Sequence, residues 1–451
     1  MARNWIKLIE PFPFYVIPVA SILILGIAAL FWITNPYAGQ SEIPISANAF
    51  KLISDIGPVL VLSPKYAKEL RNDDRLNIVK FTIKVNPGSS PFIEPLAHEA
   101  SNALADNWGD SREWQAHTLK PCILKIVAQL SSRIFAGDSL CRNPQWQDIT
   151  ITYTINLYIA AHALALWPRF LRPLVNWFLP SCRILRKQIK DARSMINPII
   201  MKRRAASEQG QMLMSASDAV GWLEENYRGQ NYDPASAQIF LSFAAIHSTS
   251  DLLTQVLFDI CGQKDLIDDL RKEIVSTIQE TGWTKASLHN LKLMDSVLKE
   301  TQRLKPVRLF SMGRVAEATI DLSDGLRIPK GTSVMVSNHG MWDPDIYPDH
   351  ETFDGYRFLR LRQHPGQERY CQLISSTPNH MGFGYGKHAC PGRFLAATEM
   401  KVALCIMLLK YEFKYEGKST SEKLSYGFNL LPSPQGKIWV RRRDADIELK
   451  L

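Results

Sequence analysis

The sequence predicts a mainly α fold: a helical domain with a small β-sheet region, set behind one N-terminal transmembrane helix. Three observations predict it. Residues Phe14 to Ile33 form a run of 20 without a charged side chain. Beyond that run and a short linker, the chain reads as helix after helix with brief extended pieces and no internal repeat. The composition, 46% hydrophobic and 22% charged, suits a globular protein with a large core and excludes a disordered or many-span chain. Over 451 residues the composition never changes regime, so one large fold plus an appendage is simpler than two independent cores.

At a rise of about 1.5 Å per residue the apolar run matches the ~30 Å hydrocarbon core of a bilayer. Residues 1–36 are therefore read as a membrane anchor, 37–56 as a linker and shortened N-terminal segment, and 57–451 as the main domain. A cleaved signal peptide fits less well, because its apolar core is usually about 7–15 residues and Pro36-Tyr37-Ala38-Gly39 is a poor cleavage site. Arg3 and Lys7 precede the span and no basic residue follows until Lys51. Alone, the positive-inside rule would keep the N-terminus in the cytosol and send the rest across. The cysteines argue the other way. Seven of them, an odd number with no C-x-x-C pair, speak against a disulfide framework or zinc site and for a reducing compartment. That places the main domain on the cytosolic side. The net charge of +9 is spread along the chain, densest at Lys202–Arg204 and Arg441–Arg443, which favours an anionic membrane surface or acidic partner over nucleic acid.

The clearest helix begins at Asp233-Pro234, an N-cap acid with proline at the first helical position, and runs almost uncharged to Cys261-Gly262. A helix apolar on nearly every face belongs at the centre of a domain. A second helix is expected over Leu288–Leu304, stopped by Lys305-Pro306. Short strands are expected around Thr319–Leu322 and Ser333–Val336, with turns at Asp324-Gly325 and Pro329-Lys330-Gly331 between them.

Phe383-Gly384-Tyr385-Gly386-Lys387-His388-Ala389-Cys390-Pro391-Gly392-Arg393 places three glycines around one cysteine, and Pro391 is expected to start an apolar helix. Glycine lets backbone approach a flat cofactor and turn N–H groups toward a sulfur. A helix N-terminus there would lower the thiol pKa and favour the thiolate, a good ligand for iron. The string matches F-x-x-G-x-x-x-C-x-G at Phe383, Gly386, Cys390 and Gly392, and resembles the haem-binding signature of the cytochrome P-450 monooxygenases. The resemblance implies a cytochrome P-450 fold holding haem b (heme b), its iron ligated by Cys390.

Further pieces follow in the family's order. Glu300-Thr301-Gln302-Arg303 matches E-x-x-R, whose i and i+3 side chains share a helix face. Phe353-Asp354-Gly355-Tyr356-Arg357-Phe358 is similar to P-x-R-F, with Gly355 where proline is usual. The resemblance implies a structural Glu300–Arg303–Arg357 network. Ala244-Ala245-Ile246-His247-Ser248-Thr249 is similar to the oxygen-activating [AG]-G-x-[DE]-T-[ST], with alanine, histidine and serine at three departing positions. A hydroxyl there would hold water and dioxygen beside the iron, and an ionisable neighbour would supply protons, a task open to histidine near neutral pH. His247, Ser248 and Thr249 are thus the catalytic candidates. The competing reading of His247 is a buried ring bonded to a backbone carbonyl. Haem propionates need cationic or donor groups, and the resemblance offers His388 and Arg314.

The wording around these motifs, such as Leu293–Glu300 and Ser337–Asp343, is similar to the fungal branch that oxidises terpenoids, including the ent-kaurene and gibberellin-type oxidases. The implied reaction inserts one oxygen atom from O2 into a lipophilic substrate of secondary metabolism, with electrons from NADPH through an NADPH-cytochrome P-450 reductase at the endoplasmic reticulum membrane. Two rivals stand beside it: a haem-thiolate isomerase or dehydratase that needs no reductase, and a membrane-bound pseudoenzyme acting as a binding partner. Two stretches depart from the family. Only about twenty residues separate the anchor from Val59–Pro64, where a helix and a first strand are usual. No W-x-x-x-[RK] helix can be placed, since Trp114 is followed four positions later by Thr118.

Overall fold

The computed structural model describes residues 49–54, 57–77, 92–208, 218–226, 232–415 and 423–444. The apolar run Phe14–Ile33 lies outside the described residues, and among these no helix is long and apolar enough to cross a membrane. The chain enters through strands β1 (Ala49–Ser54) and β2 (Gly57–Leu62), the short helix α1 (Ala67–Leu70) and strand β3 (Leu76–Asn77). Helix α2 (Ile93–Trp108) ends at Gly109, whose positive φ reverses the chain. Strand β4 (Gln115–Thr118) runs directly into α3 (Leu119–Phe135), followed by α4 (Asp138–Cys141) and α5 (Pro144–Ala165). Asn143 starts α5 by accepting from the amides of Gln145 and Trp146, with Pro144 at the first helical position. Next come α6 (Arg172–Phe178), α7 (Pro180–Glu208), α8 (Ala219–Asn226), α9 (Pro234–Ile260), α10 (Lys264–Thr281), α11 (Lys285–Asn290) and α12 (Lys292–Leu304). Strands β5 (Phe310–Ala316), β6 (Ile320–Asp321), β7 (Arg327–Ile328) and β8 (Ser333–Ser337) precede the one-turn helix α13 (Arg357–Leu361). After the cysteine loop, α14 (Arg393–Lys410) leads into β9 (Tyr411–Tyr415), β10 (Lys423–Tyr426), β11 (Asn429–Pro432) and β12 (Lys437–Arg442).

The largest core gathers Ile126 of α3, Leu253 of α9, Leu270 of α10, Met294 of α12 and Leu404 of α14 around the middle of the domain. A five-stranded sheet, ordered β1-β2-β8-β5-β3, packs Leu60, Met312 and Val334 into a second core. The β2–β8 pair in it is parallel, with Val59 opposite Ser333. A three-stranded sheet, β4-β12-β9, pairs the strand before α3 with the two C-terminal strands β9 and β12.

Four local expectations are corrected. The stretch read as a linker carries β1, which pairs antiparallel with β2 from Ala49↔Leu62 to Ser54↔Gly57, so the first strand is present. The helix expected over Leu288–Leu304 is two helices broken at Leu291. Thr284 and Ser287 form a capping box that starts α11, while both carboxylate oxygens of Glu273, from α10, accept the first amides of α12 at Leu293 and Met294. The strand expected over Thr319–Leu322 shrinks to two residues. The helix after the cysteine begins at Arg393 rather than Pro391, because a 3-10 turn over Gly386–His388 precedes it and Gly392 is its N-cap.

Candidate active site

Cys390 follows a loop whose backbone is set by its glycines. Gly384 and Gly386 have φ of +72° and +82°, a region that other residues enter at a cost. The amide of Cys390 donates to the Phe383 carbonyl at 2.7 Å, and that of Ala389 to the Gly386 carbonyl at 3.0 Å, closing the loop on itself. The Gly392 and Arg393 amides face the sulfur. A Cβ on Gly392 would stand 4.0 Å from Sγ. Of the seven cysteines, Cys390 alone is exposed; the other six are buried or half-buried. Desolvation of the sulfur within its loop raises the thiol pKa, and the two amides with the Arg393 charge pull it down only in part. The amides at the helix start thus lower the pKa as expected, but desolvation outweighs them. Metal binding, which requires the thiolate, would displace that proton.

Behind the loop, α12 and the segment 341–357 are locked together. Arg303 Nε and Nη2 each donate to Glu300 at 2.8 Å, and Arg357 Nε donates to Glu300 Oε1 at 3.0 Å. Arg303 Nη1 also reaches the carbonyls of Met341 and His350, both at 2.7 Å, and Arg357 Nη1 that of Pro348 at 2.5 Å. Glu300 and Arg303 are wholly buried. A buried charge cluster holds only when its remaining protons find acceptors, and here main-chain carbonyls supply them. Gly355 sits where a Cβ would come within 2.7 Å of Leu266 and 3.2 Å of Val297, so a larger residue at this place, where proline is usual, would have to push aside the side chains of α10 and α12.

Helix α9 is buried along most of its length but exposes Phe240, Ala244 and Ser248, one stripe at four-residue spacing. The stripe leaves one side of this central helix exposed. The structure treats the three candidates of this helix differently. Ser248 lies on the stripe, its hydroxyl 3.4 Å from the Ala244 carbonyl and 3.5 Å from that of Ala245, both long for a hydroxyl bond. Thr249 is buried, 4% exposed, and turned off the stripe. His247 Nε2 lies 2.9 Å from the Ile151 carbonyl. A carbonyl only accepts, so Nε2 carries the proton and Nδ1 is the bare nitrogen. Burial lowers the His247 pKa, helped by the Lys120 charge, so the ring is neutral. The carbonyl-bonded state is thus the one observed. Sequence reasoning missed Lys120, whose Nζ pairs with Asp251 at 2.5 Å and donates to Ser250 at 2.7 Å one turn along α9. An acid in a largely apolar helix, four residues past His247, was the available signal.

Arg314 is buried on β5, and among the described residues its recorded partner is the Gly313 carbonyl at 2.6 Å, with no carboxylate in ion-pair range. Its charge, added to burial, lowers the His388 pKa, so these two candidates are electrostatic neighbours. Trp114 belongs elsewhere: its ring is flanked by Lys414 at 4.3 Å and Arg441 at 4.6 Å, on strands β9 and β12. Thr118 ends β4. An exposed cysteine whose sulfur is faced by two amides, together with a buried arginine that has no carboxylate in ion-pair range among the described residues and a nearby histidine, is a donor set that fits an anionic iron porphyrin.

Comparison with known proteins agrees with that chemistry. The family model described as Cytochrome P450 matches residues 60–439. The chain is 49% identical over 442 residues to "Cytochrome P450 monooxygenase pyr3" of Aspergillus fumigatus, covering 91% of this chain and 85% of that one. It is 44% identical over 444 residues to "Cytochrome P450 monooxygenase adrA" of Penicillium rubens, covering 91% and 86%. A cytochrome P450 monooxygenase of Gibberella fujikuroi is 43% identical over 434 residues, covering 89% of this chain and 99% of that protein.

Proposed function

Because the chain belongs to the cytochrome P450 family and is a haem-thiolate monooxygenase, we propose that it oxidises a lipophilic small molecule, a terpenoid intermediate of fungal secondary metabolism, drawing electrons from NADPH through an NADPH-cytochrome P-450 reductase. The observation that carries this reading is the cysteine loop, in which the sulfur of the one exposed cysteine is faced by two main-chain amides. Haem b, which the Cys390 thiolate would hold, would supply the oxygen chemistry of the class. Arg314 and His388 would hold the propionates. The stripe of Phe240, Ala244 and Ser248 offers an apolar wall with one hydroxyl, which suits a substrate that is mostly hydrocarbon with few polar groups. Ser248 is placed to orient water or substrate. Neutral His247, its Nε2 proton committed to Ile151, would accept a proton at Nδ1 rather than donate one.

The same proposal places the protein on the endoplasmic reticulum membrane by one span over Phe14–Ile33, with the domain cytosolic. A second feature supports attachment. At the end of α5 and along α6, Leu166, Phe170, Leu174, Trp177 and Phe178 are exposed, Leu166 by 77%. The stretch 149–190 around them carries six cations and no carboxylate. Exposed aromatic and aliphatic side chains among basic ones suit an anionic lipid interface. The test is product analysis after co-expression with the reductase and feeding of candidate terpenes. Oxygenated product that appears only with NADPH and O2 supports the reading. Isomerised or dehydrated product formed without NADPH would support the reductase-free rival instead.

A further inference from the structure

The cysteine loop is gripped from outside by a segment 315 residues earlier in the chain, which the proposed chemistry does not use. After α1 the chain turns through Arg71–Asp74 and lies against Tyr385, Gly386 and Lys387. Asn72 Oδ1 accepts from the Lys387 amide at 2.9 Å. Arg71 Nη1 donates to the Tyr385 hydroxyl at 2.8 Å, and its guanidinium lies 5.3 Å above the Tyr385 ring. Lys387 Nζ pairs with Asp74. A Cβ on Gly386 would stand 2.4 Å from the Arg71 carbonyl oxygen and 2.9 Å from its carbon.

These contacts differ in weight. The Lys387–Asp74 pair involves an acid 94% exposed and does little to fix a loop. The approach of Gly386 to Arg71 is main chain against main chain and cannot be relieved by a side-chain rotation. The Asn72 contact is also to main chain, and both fall on the 3-10 turn Gly386–His388. That turn is closed from inside by the Ala389–Gly386 bond, and Cys390 comes next, tied to Phe383. Any shift of the turn therefore carries the Cys390 sulfur and the His388 ring with it.

We infer that Arg71 and Asn72 form a brace that sets the position of the thiolate loop, and that Asn72 is its positioning residue, acting through the Lys387 amide. The inference rests on the haem-thiolate reading. It also gives Gly386 a second task, which is to let the brace approach.

The experiment uses full-length, haem-loaded protein in detergent. Asn72→Leu removes the acceptor, and Asn72→Asp keeps one. The readouts are the rate of haem transfer to excess apomyoglobin, the fraction of ferrous carbonyl protein with the Soret band at its thiolate position, and helix content. Asn72→Leu is expected to lose haem about fivefold faster, the equivalent of one hydrogen bond of about 1 kcal/mol, with a smaller thiolate fraction and unchanged helix content. Asn72→Asp is expected to restore both values. Haem loss from Asn72→Leu at the unaltered rate, with the same thiolate fraction, would overturn the brace. Should Asn72→Leu fail to fold, Tyr385→Phe removes only the hydroxyl that Arg71 holds. A faster loss there supports the brace, and an unchanged rate overturns it. Absence of the thiolate band from the unaltered protein would instead sink the haem-thiolate reading, so the two failures are distinguishable.

Discussion

Glu300 holds two guanidinium groups where no water reaches, and its removal would leave Arg303 buried without an anion. Breaking such a cluster costs about 3–5 kcal/mol. Glu300→Ala is therefore expected to give haem-free or aggregated protein, checked by haem per chain and thermal unfolding. A haem-loaded variant with slowed turnover would instead move Glu300 into the chemistry. Glu399 is a different buried acid. Ser131 donates to it at 2.7 Å, and burial pushes its carboxyl up to about 8. A folded pKa above the unfolded value means that the native state binds the extra proton. Its stabilising share is complete below the ordinary glutamate value and is lost as pH rises through about 8. Between pH 5 and pH 8 the loss is roughly 2–4 kcal/mol, and Glu399→Gln is expected to remove it. Urea unfolding of both proteins at the two pH values checks this, and an identical pH slope would contradict it. At this scale the sequence showed what lies within one helix or loop. The pairing of Glu300 with Arg303 is legible because i and i+3 share a face, and the cysteine loop because its spacing is specific. The carbonyls that Arg303 reaches at Met341 and His350, and the Lys120–Asp251 pair between α3 and α9, depend on packing that no local spacing encodes.

The long central helix was legible as an element, since nearly every position from Pro234 onward is apolar or small and Asp233-Pro234 marks its start. Its exposed stripe was not, because Phe240, Ala244 and Ser248 differ from their neighbours only in what stands across from them. The break at Leu291 was hidden for a related reason: the cap of α12 is Glu273, a side chain of another helix. Gly355 shows the converse. Its departure from proline was visible, and the structure supplies the cause in Leu266 and Val297. Introducing bulk there overpacks the contact between α10 and α12. Gly355→Pro is expected to destabilise by about 1–3 kcal/mol, measured by thermal unfolding, with unchanged or raised stability as the contrary result.

For the whole molecule, the sequence conveyed a helical domain with a small sheet; the anchor expected over residues 1–36 lies outside the described residues, and residues 37–56 read as a linker and shortened N-terminal segment. Strand β1 lies in that stretch because Ala49 and Leu52 pair with Leu62 and Val59 of β2, thirteen and seven residues on, a match that a six-residue run does not announce by itself. The fold thus includes β1 from Ala49 onward, and the apolar run Phe14–Ile33 lies outside the described residues. A chain starting at Gln40 is expected to keep haem at the full-length ratio and to leave the membrane fraction more readily, retaining affinity for anionic vesicles through the α5–α6 surface. Haem lost from that chain but kept by the full-length protein would show that the span belongs to the fold.

The central claim is that Cys390 delivers its thiolate to haem iron, and the ferrous carbonyl spectrum tests it most directly. The unaltered protein is expected to show the red-shifted Soret band of a thiolate-ligated haem, and Cys390→Ala to lack it. A Cys390→Ala protein that retains the band would contradict the account.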